Sequence, residues 1–269
     1  MRVALTIAGS DSSGGAGIQA DLKTFQAIGV FGMSAITAVT VQNTQKVYAI
    51  QEMRSDIVHD QITCLFEDIP IHAVKIGMVA SVPLIEAISR ALTSIPDRPP
   101  MILDPVMISK SGYMLLESDA RAALVRYLFP LARVVTPNLP EAEALLDRKI
   151  GDIDAMKAAA RDIAALGADN VVVKGGHLGG IAATDVLFDG KDFHLLECPR
   201  IDTHHTHGTG CTFSSAIAAH MALGLPFAEA VGRAKTYVTG AIANALPLGH
   251  GCGPTHHFFD LYKRAGVNP

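Results

Sequence analysis

What the 269-residue chain has little of narrows the field first. It carries four cysteines, Cys64, Cys198, Cys211 and Cys252, far apart and with no C-x-x-C pair, which argues against a disulfide framework and against a structural zinc site. No stretch approaches the roughly 18 uninterrupted apolar residues of a membrane-spanning helix. After Met1-Arg2 only Val3 to Ala8 is apolar before Ser10-Asp11-Ser12-Ser13, too short for a secretory segment, so a cytoplasmic protein without a membrane partner is expected. Charge is sparse at 18% of residues, the formal net charge is −4 and Lys and Arg are scattered, which gives no electrostatic reason to expect nucleic acid. Repeats, low-complexity tracts and linkers are missing as well. What is present, 49% hydrophobic residues over this length, is enough for a large core and predicts one α/β domain over residues 1–269.

The stretch Asp202 to Ala219, DTHHTHGTGCTFSSAIAA, organises the rest. A turn rich in glycine and hydroxyls, Thr206 to Gly210, runs into an apolar helical pattern. The first amides of such a helix have no intrahelical acceptor, the peptide dipoles add partial positive charge, and Gly208 and Gly210 let an oxyanion approach the backbone. Cys211 stands where that field is strongest, so its thiol is expected to ionise more readily than a free one and to act as base or nucleophile. A structural helix start with a buried cysteine is the competing account.

Along the chain, short β-rich runs alternate with helical patterns, which predicts a mostly parallel sheet covered by helices. Val3 to Ala8 is the first strand, followed by the loop Gly9 to Gly17 and a helix with Ile18, Leu22, Phe25 and Ile28 at helical spacing. The loop lacks the Lys and Ser/Thr of a P-loop, and no G-x-G-x-x-G is present, so neither nucleotide fingerprint is met; its place at a strand's carboxyl end is still where open α/β sheets put ligands. Phe31–Gln42 and Lys46–Met53 read as a hairpin or neighbouring strands, with Gln42 capping a strand or reading a heterocycle edge. Ser55–Ile69 is an amphipathic helix with Ile57, Ile62, Leu65, Phe66 and Ile69 on its apolar face, and Ala73–Met78 is the next strand, its Met78 suited to core or to a flat-ligand pocket.

Pro83–Ile95 is a helix and Met101–Val106 a strand that places Asp104 at its end, as a turn former or as a magnesium ligand through water. Ser109–Gly112 reads as a mobile loop. Asn138 and Glu141, three apart after Val134–Thr136, fit a capping box, with metal and phosphate positioning as the rival role. Asp152–Leu166 is a helix and Asn170–Lys174 a strand whose Lys174, with Gly175, Gly176 and His177, offers a point charge for phosphate. Thr184–Phe188 and Phe193–Glu197 suggest an antiparallel pair, and Pro226–Ala245 a helix bearing Lys235. His204, His205 and His207 lack the helical spacing of a metal face, and solvated or satisfied histidines are commoner.

Seven segments in this order, GSDSSGGAGIQADLKT (9–24), TAVTVQNT (37–44), KIGM (75–78), LDPVM (103–107), TPNLPEAE (136–143), VVKGGH (172–177) and THGTGC (206–211), resemble the hydroxymethylpyrimidine/phosphomethylpyrimidine kinases of thiamine biosynthesis, a branch of the ribokinase-like superfamily. The resemblance runs from about residue 3 to about residue 260. It implies a three-layer α/β/α sandwich around a central, mostly parallel sheet, and ATP-dependent phosphorylation of 4-amino-5-hydroxymethyl-2-methylpyrimidine and of its monophosphate, with Mg²⁺. By the same resemblance Gly208, Gly210 and Cys211 form the catalytic segment, with cysteine where related sugar kinases carry an aspartate. Gln42, Gly9, Asp21 and Met78 match positions lining the pyrimidine pocket. Asn138, Lys174, Lys235 and Thr209 fall to the nucleotide, and Asp104 and Glu141 to the metal. His205 departs from the small polar residue expected there. The expected partners are the pyrimidine alcohol, its phosphate and a second copy of the chain in a homodimer. A pyridoxal kinase of the same superfamily is the nearest alternative. A cysteine hydrolase, with His207 beside Cys211 but no third orienting group, and a non-catalytic pyrimidine sensor are the others.

Overall fold

Period-two alternation in the strands and 3.6-residue periodicity in the helices leave two apolar surfaces to bury, and the chain buries them on opposite faces of one sheet. The computed structural model describes residues 1–108, 116, 118–176, 178–180 and 182–267. In chain order the elements are β1 (Val3–Ser10), α1 (Gly17–Ile28), β2 (Phe31–Gln42), β3 (Val47–Glu52), α2 (Ser55–Asp68), β4 (Ala73–Ile76), α3 (Val82–Thr93), β5 (Met101–Leu103) and α4 (Ser118–Tyr127). After a 3-10 turn at Phe129–Leu131 come β6 (Val134–Val135), α5 (Leu139–Leu146), α6 (Ile153–Ala164), β7 (Val171–Val173), β8 (Ala182–Phe188), β9 (Phe193–Pro199), α7 (Thr209–Ala222), α8 (Phe227–Ala243) and α9 (Phe259–Ala265). The expected loop at Ser109–Gly112 and His177 lie outside the described residues.

Among the described residues the strands form one nine-stranded sheet in the order β3-β2-β1-β4-β5-β6-β7-β8-β9. Pairings from β2 through β7 are parallel, and antiparallel pairs close both edges, β2 with β3 on one side and β7-β8-β9 on the other. The hairpin and the second antiparallel pair read from the sequence are these two edges. On β1, Leu5 and Ile7 join Val58, Ile62, Ile85 and Ala159 in one core, whereas Ala4 joins Phe25, Phe213, Ile217 and Val231 in the other. Helices α2 to α6 therefore cover one face and α1, α7 and α8 the second, giving the three layers implied by the resemblance.

Two strands end sooner than their apolar runs suggest. β5 stops at Leu103 and β6 at Val135 because Pro105 and Pro137 have no amide to continue a ladder. Each leaves a polar residue, Asp104 or Thr136, at the strand's carboxyl end. On α2 the expected Ile57 is 40% exposed, and Val58, fully buried, takes its place. α7 is built almost wholly of small residues, and Thr212 through Ala219 are all buried; without long side chains it lies close to the sheet and brings its first turn to the strand ends. No helix among the described residues is long and apolar enough to cross a membrane.

Candidate active site

Loops that follow β1, β4, β5, β6 and β7 meet α7 and α8 around a cavity of about 650 Å³. It sits at the carboxyl ends of the parallel strands, where open α/β sheets bind ligands. Its lining includes Gly9, Gln42 and Met78, the residues Asn138, Glu141, Lys174, Asp185 and Lys235, and the first turn of α7. The sequence-derived residues are thus brought to one place, with one exception described below.

The first turn of α7 is an amide cradle. Gly208 caps it with φ 78°, and a Cβ there would run into the carbonyl oxygen of Gly15; only glycine permits both the left-handed backbone and this approach of two loops. The Thr209 amide and hydroxyl both turn back to the Thr206 carbonyl, at 3.2 and 2.8 Å. Gly210 and Cys211 have no earlier acceptor in the helix, so their N–H groups are available to an anion. A Cβ on Gly210 would lie 3.4 Å from Lys174 Nζ and 3.5 Å from Asp104 Oδ2, which sets that lysine and carboxylate against the cradle.

The glycine-rich loop is folded by Asp11. Its Oδ1 accepts the Ser13 amide (2.9 Å) and hydroxyl (2.8 Å), and its Oδ2 accepts the amides of Gly15 (3.2 Å) and Ala16 (2.8 Å) and pairs with His207 Nε2 at 2.7 Å. Burial works against the Asp11 charge, but the His207 and Ser13 hydrogen bonds outweigh it and hold the carboxyl down at about 2. On the opposite wall Asp104 Oδ1 accepts from Lys174 Nζ (2.9 Å) and Thr136 Oγ1 (3.1 Å). Glu141 is buried nearby. Desolvation raises its carboxyl to about 7, with Lys174 opposing and the Asp104 charge adding to the rise. The capping box is real: Asn138 Oδ1 accepts the Glu141 amide at 2.9 Å and Glu141 Oε2 accepts the Asn138 amide at 2.8 Å. Both residues also line the cavity. Lys235 is already paired, donating to Asp185 Oδ2 (2.7 Å) and the Ala183 carbonyl (3.1 Å).

Two expectations need correction. Asp21, read as a wall of the pyrimidine pocket, is fully buried behind it; its carboxylate accepts from Thr6 Oγ1 (2.6 Å), Ser215 Oγ (2.6 Å) and Lys75 Nζ (2.9 and 3.0 Å). The residue of that pair that reaches the cavity is Lys75. Cys211 does not ionise readily either. Loss of hydration is the largest effect on its thiol, Asp21 and Asp104 reinforce it, and Lys75 and the Gly17 amide only partly compensate, so the thiol is pushed up to about 11. The field of a helix end, worth typically under 1 kcal/mol, is smaller than the desolvation of a buried thiolate. Among the described residues no group of three or more His, Cys, Asp or Glu side chains forms a metal-ligating cluster.

Asp11, Lys75 and Asp185 escaped sequence reasoning as site residues, and His207 figured there only as a base for a hydrolase or as part of a metal cluster. A signal existed for one pair: Asp21 falls between Ile18 and Phe25 on the buried stripe of α1, and Lys75 interrupts the apolar strand AVKI, so each is a charge at a core position that demands a partner.

The family model described as phosphomethylpyrimidine kinase matches residues 11–256. The hydroxymethylpyrimidine/phosphomethylpyrimidine kinase of Rhizobium meliloti is 51% identical over 264 residues, covering 97% of this chain and 98% of that protein. The thiamine biosynthesis bifunctional protein ThiED of Geobacter sulfurreducens is 51% identical over 253 residues; the match covers 94% of this chain and spans 51% of that longer protein. In structure, the ADP complex of Bacillus subtilis pyridoxal kinase superposes with a TM-score of 0.89 at 42% identity, covering 96% of this chain and 97% of that one.

A thiol held near 11 has a checkable consequence. Thiolate is the nucleophile toward iodoacetamide, so alkylation of Cys211 in the free protein should be slow at pH 7 to 8 and climb about tenfold per pH unit, with no plateau below pH 10. Peptide mass mapping across pH measures it, and a plateau below pH 8 would contradict this account of the cysteine.

Proposed function

The chain belongs to the phosphomethylpyrimidine kinase family, and from that premise we propose that its cavity seats a pyrimidine alcohol and a nucleotide end to end and moves a phosphoryl group between them across the first turn of α7. The protein is a phosphotransferase that uses ATP to phosphorylate 4-amino-5-hydroxymethyl-2-methylpyrimidine and then its monophosphate, in thiamine biosynthesis. One observation supports the spatial reading: Gly9, Gln42, Met78, Lys174 and the first turn of α7 line one cavity, and a Cβ on Gly210 would lie 3.4 Å from Lys174 Nζ.

Phosphoryl transfer asks for in-line placement and charge stabilisation rather than covalent chemistry from the protein. The Gly9 and Met78 wall is apolar and flat; a Cβ on Gly9 would touch Met78 Sδ and Cε at 3.4 Å, and the Gln42 carboxamide at its rim reads the polar edge of the ring. Cys211, a thiol at neutral pH, positions the acceptor hydroxyl. The cradle amides and Lys174 take up charge developing on the transferred group, with Thr209 and Asn138 beside the polyphosphate. Lys235, fixed by Asp185, adds positive charge at the nucleotide end. Magnesium fits the donor set. Asp104 and Glu141 are hard oxygen ligands lining the same cavity; burial is the main cause that lifts Glu141, and the Asp104 charge that adds to the rise is what a dication would relieve. When bound, the ion neutralises polyphosphate charge. We further infer a cytoplasmic enzyme working on small molecules without nucleic acid or membrane, and a homodimer built on the edge hairpin, where Val39, Val41 and Tyr48 are 46%, 59% and 53% exposed. A sedimenting mass of one chain would remove the dimer.

Purified protein with ATP and the pyrimidine alcohol should yield the monophosphate and then the diphosphate by mass spectrometry. The structural likeness to a pyridoxal kinase makes pyridoxal the second acceptor to test, and kcat/KM should favour the pyrimidine. A preference for pyridoxal would reverse the assignment.

Gln42→Leu should weaken pyrimidine binding by about 1–3 kcal/mol and leave ATP binding intact, read by calorimetry; unchanged affinity would take Gln42 out of the pocket. For Cys211, a positioning role predicts that Cys211→Ser keeps kcat within about tenfold of wild type while Cys211→Ala loses about 100-fold. Equal losses in both would point to proton abstraction by the thiolate instead.

A further inference from the structure

We propose that His207, clamped to Asp11, is a positioning residue for the reaction: the pair joins the glycine-rich loop after β1 to the start of α7 and thereby sets where the cradle amides of Gly210 and Cys211 point. This rests on the phosphotransfer reading of the cavity and adds to it a residue that touches neither substrate's reacting atoms.

The two partners lie 196 residues apart in sequence and meet at 2.7 Å, with Asp11 3% and His207 7% exposed. Each is anchored separately to backbone. Asp11 collects the amides of Ser13, Gly15 and Ala16 and so fixes the shape of its loop. His207 donates its amide to the Gly253 carbonyl at 3.1 Å and accepts the Thr255 amide at 3.3 Å, so its backbone is held by the segment before α9. The residue after His207 is Gly208, the left-handed cap of α7, whose α-carbon is pressed against the Gly15 carbonyl. A Cβ on Gly15 would in turn meet the His207 ring. Loop, imidazole and helix cap therefore interlock in three contacts, and a rotation of the cap would carry the Gly210 and Cys211 amides with it. A displacement of about 1 Å in such a group costs on the order of 100-fold in rate. The charge-assisted bond between Asp11 and His207 is the shorter of two side-chain links here, Ser13 Oγ lying 3.5 Å from the same His207 Nε2, and it is buried, where such bonds are strongest.

The test uses His207→Gln, which retains a side-chain N–H donor, and His207→Phe, which keeps a flat ring and loses the bond. The expected result is a kcat about 10- to 100-fold lower for His207→Phe, with KM for the pyrimidine changed less than about threefold, and substantial recovery in His207→Gln. Asp11→Asn combined with His207→Phe should cost no more than the worse single change, because both break the same link. Hydrogen–deuterium exchange supplies a readout independent of turnover: the peptide spanning residues 207–213 should exchange faster in His207→Phe while peptides from β1 and β4 keep wild-type protection. If His207→Phe proves unstable, the same comparison is made between wild type and His207→Gln against Asp11→Asn. Wild-type kcat in His207→Phe, equal losses in Phe and Gln variants, or unchanged local exchange would each overturn the clamp. Absence of ATP-dependent turnover in the wild type would instead refute the phosphotransfer reading, and the exchange experiment would still decide the clamp.

Discussion

The ion pair between Asp21 and Lys75 is the constraint on which the active face depends. Both side chains are wholly removed from solvent, and the carboxylate is also bonded to Thr6 and Ser215. Those four residues come from α1, β4, β1 and α7, so one buried charge cluster ties together the elements that present Gly9, Met78 and the amide cradle to the cavity. Such a pair is a weak source of net stability against an apolar replacement, but loss of one partner leaves an uncompensated buried charge costing about 3–5 kcal/mol. Its contribution is register. The aspartate can be satisfied only when α1 and α7 sit at one height relative to β1 and β4. Space around the ammonium is reserved as well, since a Cβ at Gly77 would lie 2.6 Å from Lys75 Nζ.

Small residues convert that register into a site. With its buried stretch Thr212–Ala219 carrying one aromatic ring, Phe213, and otherwise mostly small residues, α7 can pack close against the sheet. Gly208 then lets its cap touch the β1 loop. The proline-terminated strands β5 and β6 complete the opposite wall, because each ends early enough to leave Asp104 and Thr136 bonded to one another at 3.1 Å and directed toward α7, where Ser214 Oγ lies 3.4 Å from Asp104 Oδ2. Packing density on one side and missing backbone donors on the other thus deliver amides, a lysine and carboxylates to one cavity.

Most of the architecture was legible in the sequence, because alternation of β-branched runs with amphipathic helices is a local signal; both antiparallel edges could be read from runs a few residues apart. The strand ends at Leu103 and Val135 were overrun because apolar residues continue past them, and the prolines behind them deserved more weight. Site residues were legible where they share a motif: Gly208 through Cys211 stand together in sequence and in space. The Asp11–His207 bond was not, and the Asp21–Lys75 pair showed only as two charges at core positions, since nothing local relates residues 196 or 54 positions apart. Asp21 was assigned to the cavity because its neighbours in the motif line it, whereas helical geometry turns Asp21 inward. The state of Cys211 was misjudged for a different reason. A helix end is visible in sequence, but the desolvation that opposes it depends on how deeply the tertiary structure buries the thiol.

That last point bears on why a cysteine stands here at all. The three lysines that line the cavity are each matched to a carboxylate, Lys75 to Asp21, Lys174 to Asp104 and Lys235 to Asp185, and Glu141, raised to about 7, is only partly ionised at neutral pH. A carboxylate at position 211, as the resemblance assigns to sugar kinases, would put a further anion beside Asp21 and Asp104, the two charges that already oppose ionisation of the thiol. A neutral thiol avoids that cost. The dipole of α7 and the amides of Gly210 and Cys211 then remain available to an anion at the cradle rather than being offset by a neighbouring carboxylate. Positive potential is directed into the cavity because the side chain at the helix start stays neutral.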